Sequence, residues 1–326
     1  MRKLQFISGG LLALSAVLAW GMSAVAADPV RAALNQGHAD EALQTLNSVL
    51  AQNAADPEAH NLRCRVYYQE EAWDRAIADC EAAVRLDPSR SNYHLWLGRA
   101  YGQKAQHVSL FTAFKLARKV SAEFQQAVQL DPGNADALAD LGEYDVEAPA
   151  IVGGGLSHAV ALVPQLRAAS PSAALNLQAR IAESQHDYDT AESCYKSAIG
   201  QAQYTAGAWM DLAAFYQRHG RTDDMVAAAH TGASLDRRHG TALVDGAASL
   251  TQAHREPQVA IQWLQLYLNS RAQTEDAPSF AVRAKLAGLL AQQGDAAGAE
   301  QQLAAVHAAA SGYRAKVTAL AADAGR

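Results

Sequence analysis

The chain has 326 residues and a formal net charge of −6. Half of its residues are hydrophobic, yet only 7% are aromatic and 18% charged. Ample apolar surface excludes a disordered chain, and an alanine-rich apolar half disfavours a β-sandwich. The acidic balance disfavours general nucleic-acid binding, and three cysteines are too few for a disulfide scaffold.

Arg2 and Lys3 open the chain, an apolar run extends from Leu11 to Trp20, and Ala24-Val25-Ala26-Ala27 follows. This order predicts a signal peptide over residues 1–26, cleaved near Ala26/Ala27. An exported, periplasmic protein in an oxidising space is therefore expected. No later stretch approaches about 18 consecutive apolar residues, so no transmembrane span is expected in the mature chain.

Internal repetition dominates the remainder. Ala42 and Ala76 are 34 residues apart, and so are His186, Gly220 and His254. Leu86-Asp87-Pro88 recurs as Leu130-Asp131-Pro132. Proline in that position ends a helix. Trp209-x2-Leu212-Ala213-x2-Tyr216 is echoed by Leu97-Gly98-x2-Tyr101 and by Leu141-Gly142. A second set comprises Ala76, Cys80 and Ala83, then Phe124 and Ala127, then Ala191, Tyr195 and Ala198. The small residues let antiparallel helices approach and the large ones fill the gap to the next unit.

These motifs resemble the tetratricopeptide repeat over nearly the whole mature chain. The resemblance implies an all-α, right-handed superhelical solenoid of stacked antiparallel helix pairs. About eight repeats are expected over residues 27–312, with insertions near 103–119 and 148–156. Residues 313–326 are expected to form a helix capping an open end.

No H-E-x-x-H, P-loop or G-x-S-x-G motif occurs, so neither an enzyme nor a cofactor or metal is expected. Gly153-Gly154-Gly155 follows Asp145 and Glu147, which would repel an anion, and reads as a loop closing an enlarged turn. An Asp145/Glu147/His158 metal site is the weaker alternative.

Between Asp87 and Glu123 there is no acidic residue, while Arg90, Arg99, Lys104, Lys115, Arg118 and Lys119 interleave with Tyr93, Trp96, Tyr101, Phe111 and Phe114. Such a stretch suits an acidic peptide, a C-terminal carboxylate or an anionic envelope surface. The alternative is internal pairing with the acidic segment 136–147.

The resemblance implies that first helices line the concave face. There Asn61, Arg65 and Tyr68 are followed by Asn92, Trp96 and Arg99, by Asp140 and Glu143, and by Asn176 and Arg180. The expected partner-binding residues are Asn61, Arg65, Asn92, Trp96, Arg99 and Arg180, with Trp96 and Arg99 as anchors one helical turn apart. Their ligand is expected to be a protein or peptide, acidic if the basic stretch is free. Cys64 and Cys80 flank one hairpin turn, so a disulfide is expected as readily as two buried thiols; Cys194 has no mate and is expected to be buried. Three functions are consistent with the sequence: an envelope scaffold for protein or peptide partners, a subunit of a secretion or pilus-type assembly, and a ligand-binding or enzymatic protein built around residues 105–158.

Overall fold

The computed structural model describes residues 28–313, and the signal segment and most of the expected C-terminal cap lie outside them. Sixteen α-helices follow one another in antiparallel pairs among the described residues. The first four pairs are α1 (28–36) with α2 (Ala39–Gln52), α3 (Pro57–Gln69) with α4 (Trp73–Leu86), α5 (Ser91–Ala105) with α6 (Leu110–Leu130), and α7 (Ala135–Glu147) with α8 (Leu156–Ala169). The next four are α9 (Pro171–Ser184) with α10 (Tyr188–Gln201), α11 (Thr205–Arg218) with α12 (Thr222–Leu235), α13 (Thr241–Gln252) with α14 (Pro257–Leu268), and α15 (Ser279–Gln292) with α16 (Ala296–Ala309).

Local chemistry sets the boundaries. Asp56, Asn134, Ser170, Asp187 and Asp295 each accept a backbone N–H at the start of α3, α7, α9, α10 and α16, which satisfies donors that a helix leaves unpaired. Within seven of the eight pairs, the connection passes through a left-handed residue: Gly37, Glu71, Gly153, His186, Gly220, His254 or Gly294. Their recurrence at about one repeat length is the structural meaning of the His186–Gly220–His254 spacing. Between the helices, a Cβ on Gly98 would stand 2.5 Å from the Phe124 ring, and one on Gly142 would stand 2.6 Å from Leu177. Close helix approach therefore requires the small residue in both repeats.

The two departures from the period fold differently. The first lengthens a helix: Gly98 packs on Phe124 and Gly102 faces Val120, so residues 110–116 of α6 run past the end of α5. The second becomes a short 3-10 turn, Ala150–Val152, whose Val152 carbonyl accepts from the Tyr144 hydroxyl at 2.8 Å.

Among the described residues the last pair packs on the first, and the expected capping helix lies almost wholly outside them. Phe280, Ala284, Val306, Ala310 and Tyr313 form one apolar cluster with Val30, Ala33, Leu34 and Leu46 of the first pair. Around it, Ser279 Oγ donates to the Gln36 carbonyl at 2.6 Å, and Ser311 donates to Asp40 from both its N–H and its hydroxyl at 3.0 Å. Arg65 grips Glu275, with Nε–Oε2 at 3.0 Å. The repeats thus close into a ring. Glu70 is buried at this seam, and its carboxyl is pushed up to about 7 by burial and by Asp40, against the Gly312 N–H.

Cys64 on α3 and Cys80 on α4 are disulfide-bonded, with Cα atoms 5.3 Å apart. The antiparallel pair brings these fully buried residues together across its turn. Closing a loop of this length contributes about 3 kcal/mol. Cys64→Ala/Cys80→Ala is expected to lower stability by about that amount in urea denaturation; an unchanged midpoint would show that the crosslink does not constrain the unfolded chain.

Candidate functional site

The concave wall is built from the first helix of each pair, as the repeat pattern implies. On it, α7, α9 and α11 enclose a cavity of about 510 Å³ lined by Glu143, Glu147, Asn176, Arg180, Asp211 and Arg218, among others. The ends of α13 and α15 border a second concavity of about 770 Å³ with Glu71 and Tyr313 at its rim.

Most of the expected anchors are committed inside the protein. Asn61 is 0% exposed, so it cannot meet a partner in the groove. Trp96 is 7% exposed. Its ring lies between the Arg65 and Arg99 guanidinium groups, each 5.0 Å from the ring centroid, with Tyr68 edge-on at 5.4 Å. These cations satisfy the aromatic face, which overturns the reading of Trp96 as a hot spot. Arg65 is held by Glu275, and Arg99 Nε donates to Asp140 at 2.6 Å. Arg180 bridges Glu147 at 2.6 Å and Glu183 at 3.2 Å. Asn92 alone of the six is exposed.

The basic stretch is likewise dispersed. Arg99 reaches Asp140 of the acidic segment, but Arg90 pairs with Asp87, Lys104 with Asp74 and Lys119 with Glu81. Lys115 stands over the Phe111 ring, 4.3 Å from its centroid.

Neutralising the inner arginines leaves the wall acidic. Glu143, Asp211, Asp245 and Asp276 form no ion pair within 4.0 Å among the described residues. Asp211 accepts only the Asn176 amide, at 2.8 Å. Water reaches Asp211 and Asp245, yet the surrounding wall removes much of the stabilisation that open solvent would give a charge. Burial pushes the Asp245 carboxyl up to about 6 despite Lys285. Burial also raises Asp211 against the Asn176 hydrogen bond, and raises Glu143 and Asp276 with the help of Glu147 and Glu275 respectively. Such shifts mark negative charges short of a counter-charge.

Asp211, Asp245, Glu275 and Asp276 are absent from the residues that the sequence pointed to. A signal was available for two of them: Asp211 and Asp245 are 34 residues apart, so they occupy one register of successive first helices. Glu275 and Asp276 sit in the loop 269–278, whose inward placement depends on ring closure.

Other expectations resolve locally. Cys194 is only partly buried, in a groove with Val163, Pro164 and Ile181; the expectation of full burial fails because α8 and α10 leave this face open. Asp145 is buried, with His158 at 3.9 Å, while Glu147 turns to Arg180. Among the described residues, no group of three or more His, Cys, Asp or Glu is placed to hold a metal ion. None of the described helices is long and apolar enough to cross a membrane.

A family model described as tetratricopeptide repeat matches residues 30–91. Yeast Tom70 superposes with a TM-score of 0.53 and 15% identity, over 88% of this chain and 58% of that one. A thermophilic TPR protein of Thermus thermophilus, TTC0263, gives 0.43 and 16%, over 72% and 96% respectively. PilW, described as a widely conserved type IV pilus biogenesis factor, gives 0.41 and 17%, over 65% and 93%. No curated protein sequence matches. At these identities the likeness to the solved structures concerns the fold.

Proposed function

Starting from the premise that this chain is a tetratricopeptide-repeat protein, a protein-interaction scaffold, we propose that its concave wall binds a protein or peptide segment carrying positive charge. The supporting observation is the set of unpaired carboxylates Glu143, Asp211, Asp245 and Asp276 beside arginines already spent on internal partners. A cationic side chain entering the cavity supplies the missing counter-charge. An acidic ligand, the sequence-based expectation, would meet those four carboxylates with Lys285, beside Asp245, as a partial offset. Export is part of the same proposal, since the Cys64–Cys80 bond persists best in an oxidising compartment.

The test uses two labelled peptides of equal length, one lysine-rich and one glutamate-rich. The lysine-rich peptide is expected to bind better, and Asp211→Asn/Asp245→Asn to weaken it by roughly tenfold. Asp245 is charged above about 6 and neutral below it, so affinity is expected to fall as pH drops through that value. Preference for the glutamate-rich peptide, or equal binding by the double variant, would overturn the proposal.

A further inference from the structure

We propose that the projecting start of α6, together with the 3-10 turn at 150–152, is a membrane-docking tip for an anionic lipid surface. Leu110 is 88% exposed and Phe111 71%, with Phe114 also exposed; Ile151 is 72% exposed on the adjoining turn. Large apolar side chains grouped this way mark an interaction surface rather than ordinary scatter.

The two elements lie side by side. The Tyr144 hydroxyl contacts both the Ala117 carbonyl of α6 and the Val152 carbonyl of the turn, at 2.7 and 2.8 Å. Phe114 lies one helical turn before Ala117 and Arg118, and Ile151 directly precedes Val152. The exposed apolar groups therefore continue from α6 onto the turn.

Charge selects the occupant. Phe111, Phe114, Lys115 and Arg118 are i, i+3 and i+4 neighbours, so they share the face of α6 opposite Leu116 and Val120, which are buried. Lys115 and Arg118 form no ion pair within 4.0 Å among the described residues, whereas Lys104 and Lys119 are held by Asp74 and Glu81. An apolar face set with cations is the pattern of an interfacial helix on anionic lipid. A second copy is disfavoured, because two tips meeting would oppose their own lysines and arginines. Leu110 and Phe111 are also largely free of neighbouring atoms: a bilayer interface accepts such side chains, while a protein would need matching pockets. The site is separate from the concave wall, so a scaffold held this way keeps its cavity free.

The test is co-sedimentation of the full chain with vesicles, either pure phosphatidylcholine or equal parts phosphatidylcholine and phosphatidylglycerol. Variants are compared in the same chain, so any contribution of residues 1–27 is common to all. Binding is expected to favour the phosphatidylglycerol vesicles and to fall as salt rises. Lys115→Glu and Arg118→Glu are each expected to reduce it by about fivefold or more, and Leu110→Ser and Phe111→Ser by roughly tenfold. These four positions are exposed, so circular dichroism should be unchanged. A Phe111→Trp variant should shift its emission to the blue on vesicle addition. Equal binding by all four variants, equal binding to both vesicle types, or an unshifted Phe111→Trp emission would overturn the proposal. Concentration-dependent self-association abolished by Phe111→Ser, without vesicle binding, would overturn it in favour of a second copy.

Discussion

Phe280→Ala is expected to lower the unfolding free energy by about 3–5 kcal/mol and to open the ring. Phe280 is 0% exposed and packs against Tyr313 with ring centroids 5.0 Å apart. Its cluster joins α1 and α2 to α15 and α16, which no adjacent connection holds together. Truncation leaves a cavity where two ends of the chain must meet, and the polar contacts of Ser279, Ser311 and Arg65 become the main closure. Urea denaturation measures the stability loss, and small-angle scattering measures the opening as a larger radius of gyration. Amide exchange should accelerate first in residues 28–36 and in α15. An unchanged midpoint, or a loss of stability with those amides still protected, would show that the seam does not depend on this side chain.

Glu183→Gln is expected to cost about 3 kcal/mol at neutral pH. Glu183 is buried at the junction of α9, α10 and α11. It accepts from Arg218 at 3.1 and 2.8 Å, from His219 at 2.8 Å, from Tyr195 at 3.0 Å and from Arg180 at 3.2 Å. Burial alone would raise its pKa, but the hydrogen bonds from Arg218 and His219 outweigh it and hold the carboxyl at about 2. A glutamine keeps the shape, yet it offers one accepting oxygen and no charge to these donors. Because the folded pKa lies below the ordinary value of 4.5, the stabilisation is complete above that value and is lost as pH falls toward 2. The stability gap between wild type and variant should therefore close over that window. A gap independent of pH would assign the loss to shape rather than charge.

The repeated helix pair was legible because its causes are local. Proline two residues after Leu86 and after Leu130 bars each helix from continuing. The 34-residue recurrence of His186, Gly220 and His254 registers one backbone requirement met once per repeat. Gly98 and Gly142 announced close approach, and the structure supplies Phe124 and Leu177 as the reasons. Cys64 and Cys80 were readable as a pair for the same reason, since 16 residues span one hairpin.

The concave surface was legible as a wall but not as a chemistry. Repeat position named the helices that face inward, and Arg65, Arg99 and Arg180 do lie on them. Whether an arginine there greets a partner depends on which carboxylate stands across from it. For Arg99 that carboxylate is Asp140 on the next first helix, but for Arg65 it is Glu275, 210 residues away. The fate of Trp96 followed from the same pairings, because it is enclosed by the cations they hold in place. Sequence by itself determined the helices, their pairing and their turns, since each depends on contacts within about one repeat. Only the tertiary structure decided that the ends meet, which charges are spent and which remain, because those depend on the small angle added at each repeat and accumulated around the whole ring.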